Sequence, residues 1–261
     1  MATTLPPPYT PPAALLSALK GRGCAVLSPS TVAALCGLEL PALHALRPAW
    51  DELVEDHYLK DGGRYRRRRH SCFVVDPDGV ALAPHRAHWQ SLEYNALHGG
   101  MHRWFEPIEP GTLAQPAWPR LIESLARLFS QLREVDRWYV EAHQFRIDTG
   151  EGIGRPTPEG AHRDGVDFVA VVLVDRSGIR GGETRVFAAD GPDGQRFTLG
   201  EPWSMLLLDD ARVIHESTPI QPVPPAQAQA PGFPGVPGHR DTLVLTYRAN
   251  GFQGEEATIP G

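Results

Sequence analysis

The sequence predicts a mainly β fold with flanking helices (α+β), a sandwich or jelly roll behind an N-terminal helical segment. Two observations carry this. From residue 139 onward the chain offers only short strand-like stretches at regular intervals, separated by Gly, Pro and Asp. Helical periodicity is confined to the first 60 residues and to one stretch at 118–132.

Residues 1–10 read as a flexible lead. Pro11-Pro12 opens a short helix over 13–20, because proline is tolerated in a first turn, and Gly21-Arg22-Gly23 ends it. Cys24 to Leu27 reads as a strand, and Ser28-Pro29 begins a second helix that stops near Gly37. A third helix is expected over 41–59, where Leu43, Leu46, Trp50, Leu53 and Val54 recur at helical spacing. Arg64 to Val75 alternates weakly as a strand, and Asp76-Pro77-Asp78-Gly79 is a turn. Leu121, Leu125, Leu128 and Phe129 make one stripe of the helix over 118–132. Strands follow at 139–147, 165–174, 184–188, 203–208, 212–215 and 240–247; Phe168 to Val174 is continuously apolar, as a strand covered on both faces would be. Residues 221–238 are too rich in Pro and Gly to pack regularly, and read as a mobile insertion or active-site flap. The expectation is one domain over 1–261, with residues 1–60 as helical segment and 64–255 as β core with its supporting helix.

Composition narrows the function classes. An apolar content of 41% with six Trp and nine Phe supplies a substantial core. A net charge of −6 argues against general nucleic-acid binding, which needs positive charge against phosphate. Cys24, Cys36 and Cys72 are widely spaced and odd in number, which suits a reducing compartment and excludes a disulfide framework. Apolar runs are strand-sized, too short to cross a bilayer, and the N-terminus lacks the pattern of a secretion signal. A soluble cytoplasmic protein is expected.

The chemistry-bearing motif is His162-Arg163-Asp164 with a distant His215. Two histidines and a carboxylate form the facial ligand set of a non-haem iron site, which leaves positions for a chelating co-substrate and dioxygen. Residues at i and i+2 of an extended strand leave the same face, so His162 and Asp164 can meet one ion while Arg163 turns away. The run Arg64 to His70 invites a nucleic-acid reading. As a strand it splits its charges over two faces, so mostly solvated charge is expected, or one face at a pocket entrance. His85, His88, His98 and His102 show no zinc-site spacing and read as surface or packing histidines.

The ordered runs His143-Gln144-Phe145-Arg146, His162-Arg163-Asp164, Gly181-Gly182-Glu183, His215-Glu216-Ser217-Thr218-Pro219 and Arg240-Asp241-Thr242-Leu243 resemble the 2-oxoglutarate/Fe(II)-dependent dioxygenase superfamily. More narrowly they resemble a bacterial branch of free amino-acid hydroxylases, such as L-isoleucine dioxygenase, and biofilm- or stress-related relatives. The resemblance spans roughly Arg64 to Tyr247. It implies a double-stranded β-helix of cupin-like form, with Fe(II) held by His162, Asp164 and His215, 2-oxoglutarate as co-substrate, dioxygen as reactant and ascorbate as a supporting reductant. Related halogenases carry a small residue where Asp164 stands, so hydroxylation is implied.

The far carboxylate of 2-oxoglutarate needs a fixed cation, for which Arg240 is the candidate and Arg248, on the same strand face, the runner-up. Gln144 is nominated for 2-oxoglutarate and Arg146 for a substrate or co-substrate carboxylate. Arg103, in a Gly-Gly-x-x-Arg segment, is a second substrate candidate, and Asp167 a candidate support for a ligand. The substrate expected is a small polar molecule, a free L-amino acid; no nucleic-acid or membrane partner is expected. Two alternatives stay open: a non-catalytic stress- or biofilm-related binding protein on the same barrel, and a cupin-like metalloenzyme that does not use 2-oxoglutarate.

Overall fold

The computed structural model describes residues 5–95, 97, 99–223 and 237–254. Residues 224–236 of the Pro/Gly-rich stretch, and with them the expected flap, lie outside the described residues, as does His98. The N-terminal part runs through α1 (Leu15–Arg22), β1 (Cys24–Leu27), α2 (Pro29–Cys36) and α3 (Leu40–His44). Ser28 caps α2 by accepting from the Thr31 N–H at 3.2 Å, and Gly37 closes it in the left-handed conformation.

The expected helix over 41–59 is a correction. α3 ends at His44 and a separate 3-10 turn occupies Arg47–Glu52. Pro48 is the reason: within a continuous helix it would remove a donor and clash with the preceding turn. The apolar spacing still served a purpose, since Leu43, Leu46 and Trp50 are buried.

The β core opens with β2 (Arg66–Asp76) and β3 (Gly79–Leu82). After α4 (Pro110–Leu113) and α5 (Ala117–Ser130) come β4 (Trp138–Asp148), β5 (Phe168–Ser177), β6 (Ile179–Gly181) and β7 (Thr184–Ala188). The chain closes with β8 (Gly194–Phe197), β9 (Met205–Asp209), β10 (Val213–Ser217), β11 (Ile220–Pro222) and β12 (His239–Arg248). Seven antiparallel strands form a major sheet in the order β1-β9-β5-β12-β4-β2-β3. A minor sheet, β10-β7-β8, lies over its other face, and β11 pairs with β6. The expected jelly roll is borne out by this arrangement. The short strands β3, β6, β8 and β11 were missed from the sequence because each has only three or four residues, too few to show a strand pattern.

Alternation along each strand divides the interior. One face of the major sheet sends Val140, Ala142, Phe168, Leu243 and Tyr247 against α1, α2 and α5. Helix α5 supplies Leu121, Leu125 and Phe129, whose spacing places them on one side. The opposite face is apolar only toward β1 and β9, where Val26, Val169, Leu206 and Leu208 meet Val186 and Val213 of the minor sheet. Toward β2 and β4 that inner face turns polar, and there the cavity lies. Among the described residues no helix is long and apolar enough to cross a membrane.

Phe129 stacks on Phe168 at 4.4 Å with planes 3° apart and is fully buried. Phe129→Ala is expected to cost about 3–5 kcal/mol of stability, read as a lowered midpoint in urea unfolding.

Candidate active site

Strand register sets the composition of the cavity. Across β12, β4 and β2 the rows Arg240–Ile147–Arg66, Thr242–Phe145–Arg68 and Val244–His143–His70 all face inward. A cavity of about 120 Å³ opens there, lined also by His162, Asp164 and His215. The metal-ligand candidates thus meet in one concave space although they come from two remote stretches.

Each candidate ligand is held from behind. The His162 and His215 main chains exchange N–H···O bonds of 3.0 Å each way, which sets the two rings side by side at 4.7 Å. His162 donates its Nδ1–H to the Gly160 carbonyl at 2.9 Å, leaving the Nε2 lone pair toward Asp164. His162 Nε2 and His215 Nε2 stand 3.8 and 3.7 Å from the Asp164 carboxylate, within reach of one shared cation. Burial, and then His162, push His215 well below the usual imidazole range, so it is neutral, the form that ligates. At His162 burial opposes the charged form, but Asp164, Glu159 and the Gly160 carbonyl outweigh it and raise the pKa.

The support for Asp164 was missed from the sequence. Asp210, fully buried in the turn before β10, accepts the backbone N–H groups of Asp164, Gly165 and Val166 at 2.9, 2.8 and 3.1 Å. Burial and the Asp164 charge push Asp210 up to about 6. Gly165 has φ +75°, and a Cβ there would fall 2.4 Å from the Tyr94 ring, so the turn accepts no side chain. Gln90, also unforeseen, donates to Asp164 at 3.4 Å while accepting from Arg103 at 3.0 Å. The support expected from Asp167 does not materialise. That residue pairs with Arg133 and accepts from the Ala249 N–H instead.

Arg240 lines the cavity, is 3% exposed, and its Nε and Nη2 have no partner among the described residues. Burial, then Arg176, lower its pKa to about 10. A buried guanidinium with unpaired donors fits the far carboxylate of 2-oxoglutarate, as the triad fits a ferrous ion. Arg248 sits at the far end of β12 opposite Tyr139, outside the lining, so it does not share this position. Arg103 does reach the cavity, fixed by reciprocal 2.9 Å main-chain bonds with His88.

Gln144 and Arg146 do not line the cavity. The inner residues of β4 are Glu141, His143, Phe145 and Ile147, so both candidates face the helices. Gln144 is fully buried there, and Arg146 forks onto Asp241 at 2.8 and 2.7 Å. The arginine run corrects in the other direction. Arg66 and Arg68 are buried in the cavity, whereas Arg67 and Arg69 turn outward to Asp148 and Glu109.

His88, expected at the surface or in packing, joins His70, Glu141 and His143 in a second buried cluster. Glu141 accepts from His70 at 2.9 Å and from His88 at 2.7 Å. Burial works against the Glu141 anion, but these two histidines outweigh it and hold its pKa below normal. Arg68 donates to His143 Nδ1 at 2.7 Å, and a guanidinium cannot accept. The neutral His143 ring therefore carries its proton on Nε2, which cannot ligate a metal facing Glu141. This cluster is a hydrogen-bonded network within the cavity wall, where His88 and His143 are among the lining residues.

A family model described as 2OG-Fe dioxygenase matches residues 47–246. No curated protein matches the sequence. A crystal structure of a bsmA homolog from Methylobium petroleophilum PM1 is 54% identical, covering 95% of this chain and 97% of that one, with a TM-score of 0.87. IDO from Bacillus thuringiensis is 19% identical over 92% of this chain and 100% of its own, with a TM-score of 0.72. The Fe(II)/α-ketoglutarate-dependent dioxygenase TqaL is 18% identical over 94% and 90%, with a TM-score of 0.67. The latter two likenesses are of fold.

Asp210→Asn leaves one acceptor oxygen where three backbone donors now converge on two. It is expected to weaken ferrous-ion affinity about 10–100-fold with the fold retained, measured by metal titration alongside circular dichroism.

Proposed function

The chain belongs to the 2OG-Fe dioxygenase family and is an iron- and 2-oxoglutarate-dependent dioxygenase, and from this we propose that it hydroxylates a C–H bond of a free L-amino acid. 2-Oxoglutarate is converted to succinate and carbon dioxide in the same turnover. In this reading His162, Asp164 and His215 hold the iron, Arg240 receives the far carboxylate of 2-oxoglutarate, and Arg103 receives the substrate. The observation that carries it is the buried guanidinium of Arg240, with Nε and Nη2 unpartnered among the described residues, in the same cavity as the triad.

Iron and 2-oxoglutarate, when bound, supply the oxidising chemistry by spending dioxygen on the co-substrate and one C–H bond. The remaining work belongs to the chain. His162 and His215 present their Nε2 atoms at a fixed separation, because their main chains are bonded to each other and one ring is anchored on Gly160. Asp210 immobilises the Asp164 backbone, so the carboxylate is preorganised without ordering a flexible turn at each cycle. Arg240 stays charged and offers a planar fork, which orients a dicarboxylate along one axis. The apolar wall of Val166, Val171 and Val244 limits water beside the reacting position.

With iron, ascorbate and a panel of amino acids, the purified protein is expected to turn 2-oxoglutarate into succinate. His162→Ala or Asp164→Ala should abolish that turnover, and full activity in either would contradict the ligand assignment. Arg240→Met is expected to cost about 2–5 kcal/mol of 2-oxoglutarate binding, roughly 30-fold or more in affinity. Unchanged affinity in that variant would favour a metalloenzyme that does not use 2-oxoglutarate.

A further inference from the structure

Two strands from Arg240, about 10 Å across the sheet, the cavity wall carries a second concentration of buried positive charge. Arg66, Arg68 and Arg103 are 6%, 3% and 2% exposed, and all three line the cavity. Two of the guanidinium groups share one ring: Arg68 lies 3.6 Å and Arg103 5.9 Å from the Phe105 centroid. Phe145 makes a second shared face, at 4.5 Å from Arg68 and 5.9 Å from Arg66.

Carboxylates stand near this group, but they leave several of its donors without a hydrogen bond among the described residues. Asp56 takes Arg66 at 2.7 Å and stands 3.9 Å from Arg68. Glu141 spends its charge on the two histidines described above. Arg103 meets only the neutral Gln90 oxygen among the described residues. Arg66 Nη2, Arg68 Nε and Arg103 Nε are buried with no partner among the described residues, and leaving such donors bare is costly unless a ligand fills them. Burial first, then the neighbouring Arg66, lowers Arg103 to about 10, the sign of cations crowded in a dry wall.

The same cavity holds one carboxylate outside the metal triad. Glu159, with its side chain 13% exposed, lines the space 3.6 Å from His162 Nε2 and makes no hydrogen bond to a cationic side chain among the described residues. The wall therefore leaves arginine donors without an acceptor on one side, and at Glu159 a carboxylate with no hydrogen-bonded cation, among the described residues.

We propose that Arg66, Arg68 and Arg103 bind the carboxylate of the substrate while Glu159 faces its ammonium group, so that the cavity selects a zwitterion. The inference rests on the oxygenase reading of the cavity and assigns the residues that recognise the two charged ends of its substrate. A dicarboxylate would set a second anion against Glu159, and an uncharged molecule would leave the arginine donors bare. Gln90 ties the two halves together, since it bonds both Arg103 and Asp164 and so registers the bound carboxylate against the metal position.

The test is anaerobic calorimetry of the iron-loaded protein, titrated first with 2-oxoglutarate and then with each proteinogenic L-amino acid, its N-acetyl form and its primary amide. At least one free amino acid is expected to bind, with both blocked forms weaker by about ten-fold or more. Arg103→Gln should weaken the free amino acid by a similar factor without a matching loss for 2-oxoglutarate, and Arg103→Lys should recover part of it. Binding of 2-oxoglutarate with no response to any free amino acid would overturn the proposal. So would amides or N-acetyl forms that bind as tightly as their parents, a result that needs no variant to fold. Amino acids that bind in this charge-dependent way while 2-oxoglutarate does not would support the subsite and contradict the oxygenase reading instead.

Discussion

The pair of 3.0 Å hydrogen bonds exchanged between the His162 and His215 main chains is the constraint on which the site depends. One partner sits in the long connection between β4 and β5, the other on β10 of the minor sheet. Without that bridge the two imidazoles belong to separate parts of the fold. With it, their spacing is set by backbone geometry and needs no ion to create it. Asp210 extends the constraint by gathering three successive N–H groups next to His162 and fixing the direction of Asp164. Burying such a carboxylate is costly in isolation, and the converging donors offset it.

The second organising feature is the polarity of the inner sheet face. Apolar packing covers the β1-β9 side, whereas the β12-β4-β2 side presents arginine, histidine and glutamate. A core filled this way is less stabilising than an apolar one, because each buried donor forgoes water. The cost is contained by dividing the polar groups into two kinds. Some bond one another, as Glu141 does with His70 and His88. Others, Arg240 foremost, keep donors unsatisfied toward the cavity.

Much of this was legible in the chain. The H-x-D motif, the distant histidine and Arg240 are separated by recognisable strands, and each falls in the cavity. Gln144 and Arg146 failed through phase: β4 carries polar residues on both faces, so alternation alone does not say which face is inward. A one-residue choice sent both to the helices and hid His143 and Glu141. The register of Arg66 and Arg68 against the same strand was hidden equally, since four successive arginines look alike on either face. Asp210 gave a different difficulty. In the sequence it is one of two aspartates after an apolar strand, which reads as an ordinary turn; its role exists only once the chain returns past Asp164. Pro48 was visible, and giving it more weight than the apolar spacing would have ended the third helix correctly.

The central claim is that one cavity joins the metal triad to the Arg240 anion site. A crystal grown without oxygen, with manganese standing in for iron and with 2-oxoglutarate, tests it through the anomalous signal of the metal. The account predicts one strong peak bonded to His162 Nε2, His215 Nε2 and Asp164, with the distal carboxylate of 2-oxoglutarate on Arg240. A peak within the His70, His88 and Glu141 cluster, or a co-substrate carboxylate lying away from Arg240, would contradict it.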